Sequence, residues 1–276
     1  MVHKTIFLYF CLLIGATANA TSGADGAMDS ATIDKVADPI EKGLAIAAEG
    51  DRRDFGFEDY TNSLEMTLRN RHGQETTRRM RSKTLETKED GEKSLIIFDE
   101  PRDVKGTAFL NFTHKVEPDD QWLYLPALER VKRIASSNKS GPFMGSEFAY
   151  EDLASQEPEK YTYLYIKDES FDGREHWVIE RDPVDEKSGY TKQVVWVDKE
   201  EFRVWKIDFY DRKKSLLKTL VFEDWQQYLD QYWRANSLEV TNHQTGKSTL
   251  LLMKNFKFRN GFKDSDFNRN SLSKAR

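Results

Sequence analysis

From Asp51 onward, apolar and polar positions alternate with a period of two. In SLEMTLRNR, Leu64, Met66 and Leu68 point one way while Glu65, Thr67 and Arg69 point the other, which predicts a half-buried strand. His72-Gly73 supplies a turn into ETTRRMRSKTLET, and Asp90-Gly91 supplies another before KSLIIFDEP. The same rhythm runs through TAFLNFTHK, QWLYLP, LERVKRI, KYTYLYIKDE, EHWVIERDP, KQVVWVD, FRVWKIDFYD, SLLKTLVFEDW, YWRANSLEVTN and TLLLMKNFKF. Short polar turns separate most of these runs and no long helical crossover intervenes, so the pattern predicts an antiparallel meander of about eleven strands. A meander of that size must curl, giving a curved, incomplete barrel in a mainly β protein with a few helices.

The N-terminal part reads differently. Ile33, Val36, Ile40, Leu44 and Ala47 fall at helical spacing, with Ser30 or Thr32 available as a cap and with Pro39 and Gly43 as weak points. A short, kinked amphipathic helix ending near Gly50 is expected, covering an opening or an edge of the sheet. Residues 1–20 carry Lys4, an apolar run from Ile6 to Ile14 and Ala18-Asn19-Ala20, the order of a cleavable signal peptide and too short for a membrane span. The expected organisation is a signal peptide over 1–20, a flexible mature terminus over 21–32, and a single domain over 33–276 that ends in a polar, solvated tail from about residue 264.

Composition narrows the classes. The one cysteine, Cys11, lies in the apolar run, preceded by Leu8-Tyr9-Phe10 and without the small residues of a lipidation signal. An exported chain without disulfides must be held by a hydrophobic core, and this one is long enough to build it. A formal charge of -5 argues against nucleic acid as partner. The reading is a soluble periplasmic protein.

Catalytic signatures are missing. His72, His114, His176 and His243 stand apart, with no HExxH element. GSEFA at 145–149 lacks the G-x-S-x-G spacing, and neither a GxGxxG nor a Walker loop occurs. Acidic pairs such as Asp119-Asp120 and Glu151-Asp152 identify no glycosidase pair in so charged a chain. No catalytic residue, metal site or cofactor is assigned, and a non-enzyme is expected.

Large aromatic side chains are abundant: seventeen Phe, eleven Tyr and six Trp. Trp205, Ile207 and Phe209 share one face of a strand, and Trp122 and Tyr124 share a face of another. Such faces suit either a filled core or a concave apolar ligand site. Arg79, Arg81 and Lys83 share a strand face, echoed by Arg130 and Arg133. They suit either phosphate head groups and acidic partners or cross-strand pairing with the many carboxylates.

The run DDQWLYLPALERVKRI at 119–134, followed by SGPFMGSEFAYEDL at 140–153, resembles the outer-membrane lipoprotein-sorting protein family, LolA-like periplasmic proteins associated with transporters of the resistance-nodulation-division type. Trp122, Tyr124, Pro126, Arg130 and Arg133 stand at the W-x-Y-x-P-x-x-x-R-x-x-R positions. Gly141, Phe143, Gly145, Ser146, Glu147, Phe148, Tyr150, Asp152 and Leu153 stand at the G-x-F-x-G-S-[DE]-F-[AST]-Y-[ED]-D-L positions. The resemblance implies a LolA/LolB-like half-open barrel with helix across its mouth. It also implies carriage of a lipid or lipidated protein between an inner-membrane transporter of that type and the outer membrane, with only transient membrane contact.

On this reading Leu64, Met66, Leu68, Phe109, Trp122, Tyr124, Trp205, Ile207 and Phe209 line the cavity, although a one-residue register slip would exchange the faces. Gly141, Pro142, Phe143, Met144, Gly145 and Phe148 form a loop at its rim, with Ser146 a turn hydroxyl, and Arg79, Arg81, Arg130 and Arg133 are the candidate head-group or partner contacts. A non-carrier accessory subunit that binds a transporter or envelope partner is the alternative.

Overall fold

The computed structural model describes residues 27–88 and 90–274, so the expected signal peptide and the first part of the flexible terminus lie outside the described residues. Two helices open the chain, α1 (Ser30–Ile33) and α2 (Pro39–Asp54). Residues 27–32 are therefore partly ordered as helix, with Asp29 capping α1 through Thr32 N at 2.8 Å. The expected single kinked helix is two because Pro39, which has no N–H to give a preceding turn, starts a new helix behind the Asp38 cap.

The strands are β1 (Asp59–Arg69), β2 (Glu75–Glu86), β3 (Glu92–Glu100), β4 (Ala108–Phe112), β5 (Asp120–Leu125), β6 (Arg130–Ile134), β7 (Tyr161–Phe171), β8 (Arg174–Pro183), β9 (Tyr190–Asp198), β10 (Val204–Asp211), β11 (Leu216–Tyr228), β12 (Tyr232–Asn242) and β13 (Ser248–Phe258). All thirteen join one curved, open antiparallel sheet in the order β6-β5-β4-β3-β2-β1-β13-β12-β11-β10-β9-β8-β7. Each of the alternating runs, the short ones at β4, β5 and β6 included, becomes a strand of the ladder, which makes thirteen where about eleven were expected. The chain thus builds one wing from β1 to β6, crosses through residues 135–160 to the opposite edge, and returns along the second wing until β13 pairs with β1.

Alternation sends two apolar sets to two cores. The inner face contributes Leu64, Met66, Met80, Phe98, Phe109, Leu123, Val195, Ile207, Phe209, Leu220 and Leu251, packed against Ile33 and Ile46 of the helices. The outer face of β3–β5 contributes Leu95, Leu110 and Trp122, covered by Phe267 and Leu272 from the C-terminal segment. That segment is therefore not a solvated tail: Leu272 is 1% exposed and Phe267 3%. Helix α2 crosses edge strand β7 closely at Gly43, where a Cβ would lie 3.0 Å from Tyr165 N and 3.1 Å from Leu164 C. From β7 the helix reaches toward β12, which places its C-terminal end beside the cleft described next.

Candidate functional site

The expected cavity residues divide between the two faces. Leu64, Met66, Phe109, Ile207 and Phe209 lie in the inner core, with Leu68 packed against it. The space between the wings at this end is filled by the crossover: Phe143, 0% exposed, has its ring 5.9 Å from that of Phe98 and 5.2 Å from that of Phe109. Trp122 packs in the outer core with Tyr124 against it, under the C-terminal segment rather than with the inner set. Period-two alternation separates two faces without saying which one is concave.

The stretch 141–148 is likewise an interior plug rather than a rim loop. Phe143, Ser146 and Phe148 are buried, Met144 is half-buried, and only Pro142 and Gly145 are exposed. Left-handed backbone at Met144 (φ 50) and Gly145 (φ 80) folds it back, so that Phe143 N donates to Phe148 O at 2.7 Å. Ser146 Oγ donates to Phe143 O at 2.8 Å, the turn role expected of it. Arg78 reaches in from β2 and donates to Met144 O at 2.6 Å.

The basic set lies away from the interior. Arg79 bridges Glu65 (3.3 Å) and Glu100 (3.0 Å), Arg81 pairs with Asp99, and Arg133 with Asp120 (2.5 Å), all partly or fully exposed; Arg130 is exposed as well. Cross-strand pairing accounts for Arg79, Arg81 and Arg133.

The open space lies elsewhere on the inner side. A cleft of about 600 Å³ runs between the end of α2 and strands β11–β13. None of the expected cavity residues lines it. Its floor is apolar: Phe222, Leu238 and Met253. Asp224 sits at φ 53 inside β11 and breaks the alternation, so Phe222 and Trp225, three residues apart, both line the cleft with their rings stacked at 6.2 Å and 24°. Trp233 lines it from β12. A strict period-two reading misses this pair, and an acidic residue inside an aromatic strand run is the only sequence signal for it.

Four arginines border the same cleft: Arg52, Arg53, Arg203 and Arg234. Arg52 and Arg53 share one carboxylate, buried Glu49, at 2.7 and 2.8 Å. Burial alone would raise the Glu49 pKa, but the hydrogen bonds from Arg52 and Arg53 outweigh it and pull it down to about 2. Arg53 also stacks 4.0 Å over Phe202. Arg234 pairs with Asp54 and lies 5.0 Å from the Phe57 ring and 5.5 Å from the Tyr60 ring. Beside it, Glu92 is enclosed; burial, with repulsion from Asp54, pushes its carboxyl up to about 8 despite the pull of Arg234.

Arg203, 8% exposed, donates through Nε to Asp198 Oδ2 at 2.7 Å and stacks 4.4 Å over Trp233. Asp198 is otherwise saturated by Trp205 Nε1 (2.8 Å) and by the backbone of Glu200 and Glu201, so Trp205 stands behind the cleft as a support. Buried Trp225 Nε1 and Trp233 Nε1 have no hydrogen-bond partner.

A second hollow of about 600 Å³ lies under the crossover, lined by Phe148, Tyr190 and Lys218 among others. Its buried cation is already paired, Lys218 to Asp152 at 2.5 Å. The cleft at β11–β13, with an apolar floor and buried donors that lack acceptors, is the better ligand site.

A family model with the description "Uncharacterized protein" matches residues 90–274. No curated protein matches the chain. Among solved structures, a domain described as outer membrane lipoprotein-sorting from Vibrio parahaemolyticus is 58% identical, with a TM-score of 0.83 over 85% of this chain and 99% of that one. A DUF1329 family protein from Desulfovibrio piger is 31% identical, with a TM-score of 0.81 over 85% of this chain and 99% of that one. A LolA superfamily protein from Nitrosomonas europaea shares the fold at 21% identity, with a TM-score of 0.67 over 83% and 98% of the two chains.

Proposed function

The chain belongs to the LolA-like outer-membrane lipoprotein-sorting family, and from that premise we propose that it is a carrier holding a lipid, or the acyl chains of a lipoprotein, in the cleft between α2 and β11–β13. The observation that carries the reading is the open space itself: about 600 Å³ over Phe222, Leu238 and Met253, within the range of small-molecule sites and on the inner face of the sheet. The cell compartment is the periplasm, reached through the N-terminal signal sequence. Among the described residues no helix is long and apolar enough to cross a membrane.

No covalent step is required. Moving an acyl chain from a bilayer to an apolar cleft is nearly neutral, whereas exposure to water costs about 0.8 kcal/mol per CH₂. Direction is then set by donor and acceptor: an inner-membrane transporter of the resistance-nodulation-division type on one side, the outer membrane on the other. Ile40 and Leu44, one turn apart on α2, are 60% and 48% exposed, and Ile166 on the neighbouring β7 is 44% exposed. These side chains favour a protein contact at that edge.

Native mass spectrometry of protein purified from its own envelope, with extraction of any bound lipid, tests the carrier. A stoichiometric lipid is expected, and its loss on Leu238→Glu. An empty protein that also takes up no fluorescent fatty acid sinks the carrier and leaves the accessory subunit.

A further inference from the structure

Buried donors without acceptors are rare in native proteins, and two of them border the same cleft. They are the indole N–H groups of Trp225 and Trp233. Between them lies the Arg203 guanidinium, 4.4 Å from the Trp233 ring and 5.8 Å from the Trp225 ring. Stacking satisfies the face of a guanidinium and leaves its edge free. The Arg203 side chain spends only Nε, on Asp198, and its guanidinium makes no other hydrogen bond among the described residues. Its terminal N–H groups therefore add to the surplus of donors.

The nearby carboxylates do not absorb that surplus. Asp198 is filled by the backbone N–H groups of Glu200 and Glu201 and by the Trp205 indole, Asp54 is taken by Arg234, Glu201 lies 3.9 Å from Arg53, Glu49 serves two arginines at once, and Glu92 and Asp230, which also line the cleft, accept no hydrogen bond from Arg203 or from the two indoles. Four carboxylates line the cleft with the four arginines, so the surplus is one of unpaired donors rather than of net charge, and such donors next to an apolar floor select an amphiphile with an anionic, acceptor-only head. We propose that Arg203, Trp225 and Trp233 form a receptor for the phosphate head of the amphiphile whose chain lies over Phe222, Leu238 and Met253. The assignment rests on the carrier reading of this cleft and goes beyond it by naming the head-group chemistry. Phosphate offers several anionic, acceptor-only oxygens to a fork of N–H groups, which a neutral hydroxylated head does not.

Calorimetric titration of the full-length mature protein with dodecyl phosphate, dodecyl maltoside and inorganic phosphate separates the cases. Dodecyl phosphate is expected to bind about tenfold or more tightly than dodecyl maltoside, the scale of one or two charge-assisted hydrogen bonds. Arg203→Gln and the double variant W225F/W233F should each erase that preference, so that the two amphiphiles bind with equal affinity. The aromatic variant keeps an aromatic ring at each position and the Arg203–Asp198 pair, so it decides the matter if Arg203→Gln fails to fold. Equal affinity of the wild type for the two amphiphiles overturns the head-group receptor and leaves the carrier standing. If neither amphiphile binds, both fall. Inorganic phosphate binding as tightly as dodecyl phosphate would make the nook a free-anion site and overturn the lipid head group.

Discussion

Lys218 Nζ lies 2.5 Å from Asp152 Oδ2, and both side chains are almost wholly enclosed. The pair joins strand β11 to the crossover, and each partner is satisfied further. Lys218 donates to Glu147 O at 2.8 Å, while Asp152 accepts from Ala149 N at 2.7 Å and from Tyr190 Oη at 2.8 Å. Neighbouring Glu151 accepts from Ser188 Oγ and Gly189 N, and Glu147 accepts from Asn242 Nδ2. The acids of GSEFAYEDL are thus ties between the crossover and the second wing. Breaking one partner of a buried pair leaves an uncompensated charge, so Asp152→Ala should lower unfolding stability by about 3–5 kcal/mol in urea titration. The double variant D152A/K218M should recover part of that loss; a double variant as unstable as the sum of the two single ones would refute the coupling.

Phe143 is the anchor of the same segment. Its ring touches those of Phe98, Phe109 and Tyr150 with no exposure to solvent. Phe143→Ala should cost about 3–5 kcal/mol, whereas half-buried Met144 should cost clearly less on truncation. Equal and small effects on thermal unfolding would return the stretch to the status of a rim loop.

Glu92 gives stability a dependence on pH. Its carboxyl, pushed up to about 8 by burial, binds a proton in the folded chain that the unfolded chain releases near its ordinary value of 4.5. Stability from this group is therefore fully present below about pH 4.5 and is lost as pH rises through about 8. Glu92→Gln should flatten the fall in melting temperature between pH 5 and pH 8, by an amount on the order of 2 kcal/mol after solvent screening. An unchanged pH profile would show that Glu92 ionises freely.

Leu272 and Phe267 seal the outer core over Trp122 and Leu110. Leu272→Ala should cost about 2–4 kcal/mol, and a chain ended before residue 264 should show increased tryptophan exposure to acrylamide quenching. A truncated chain with wild-type quenching would mean that this cover is dispensable.

Arg79 offers the contrasting case. It is exposed and bridges Glu65 and Glu100 across the outer surface, so Arg79→Ala should leave the midpoint of urea unfolding and the amphiphile affinity essentially unchanged. A loss of binding would move the head-group site back to the basic strand.

Most of the sheet was legible in the alternation. SLEMTLRNR covers β1 from Ser63 onward, four residues after its start, and FRVWKIDFYD is β10 within two residues, because half-buried antiparallel strands print their period directly. Their faces were not legible. Strand β4 is buried on both sides, Phe109 toward the crossover and Leu110 toward the C-terminal segment, so its apolar run carries no direction. FNRNSLSKAR reads as polar although Phe267 and Leu272 within it dock. The cleft escaped for a local reason: its aromatic pair depends on one left-handed aspartate, and Arg203 and Arg234 look like any strand-end cations until the rings around them are seen.

The ladder between β1 and β13 has a kinetic side. Leu64 pairs with Met253 and Met66 with Leu251, so the first strand to leave the ribosome meets its neighbour only when the last has been made. Hairpins within each wing close short loops and form early, but this seam must bring together residues from the two ends of the domain, a contact of very high order. Until then β1 presents a bare edge of N–H and C=O groups to any other chain. Refolding should accordingly show a fast formation of the two wings and a slower closure of the seam, during which the nascent protein is most open to mispairing.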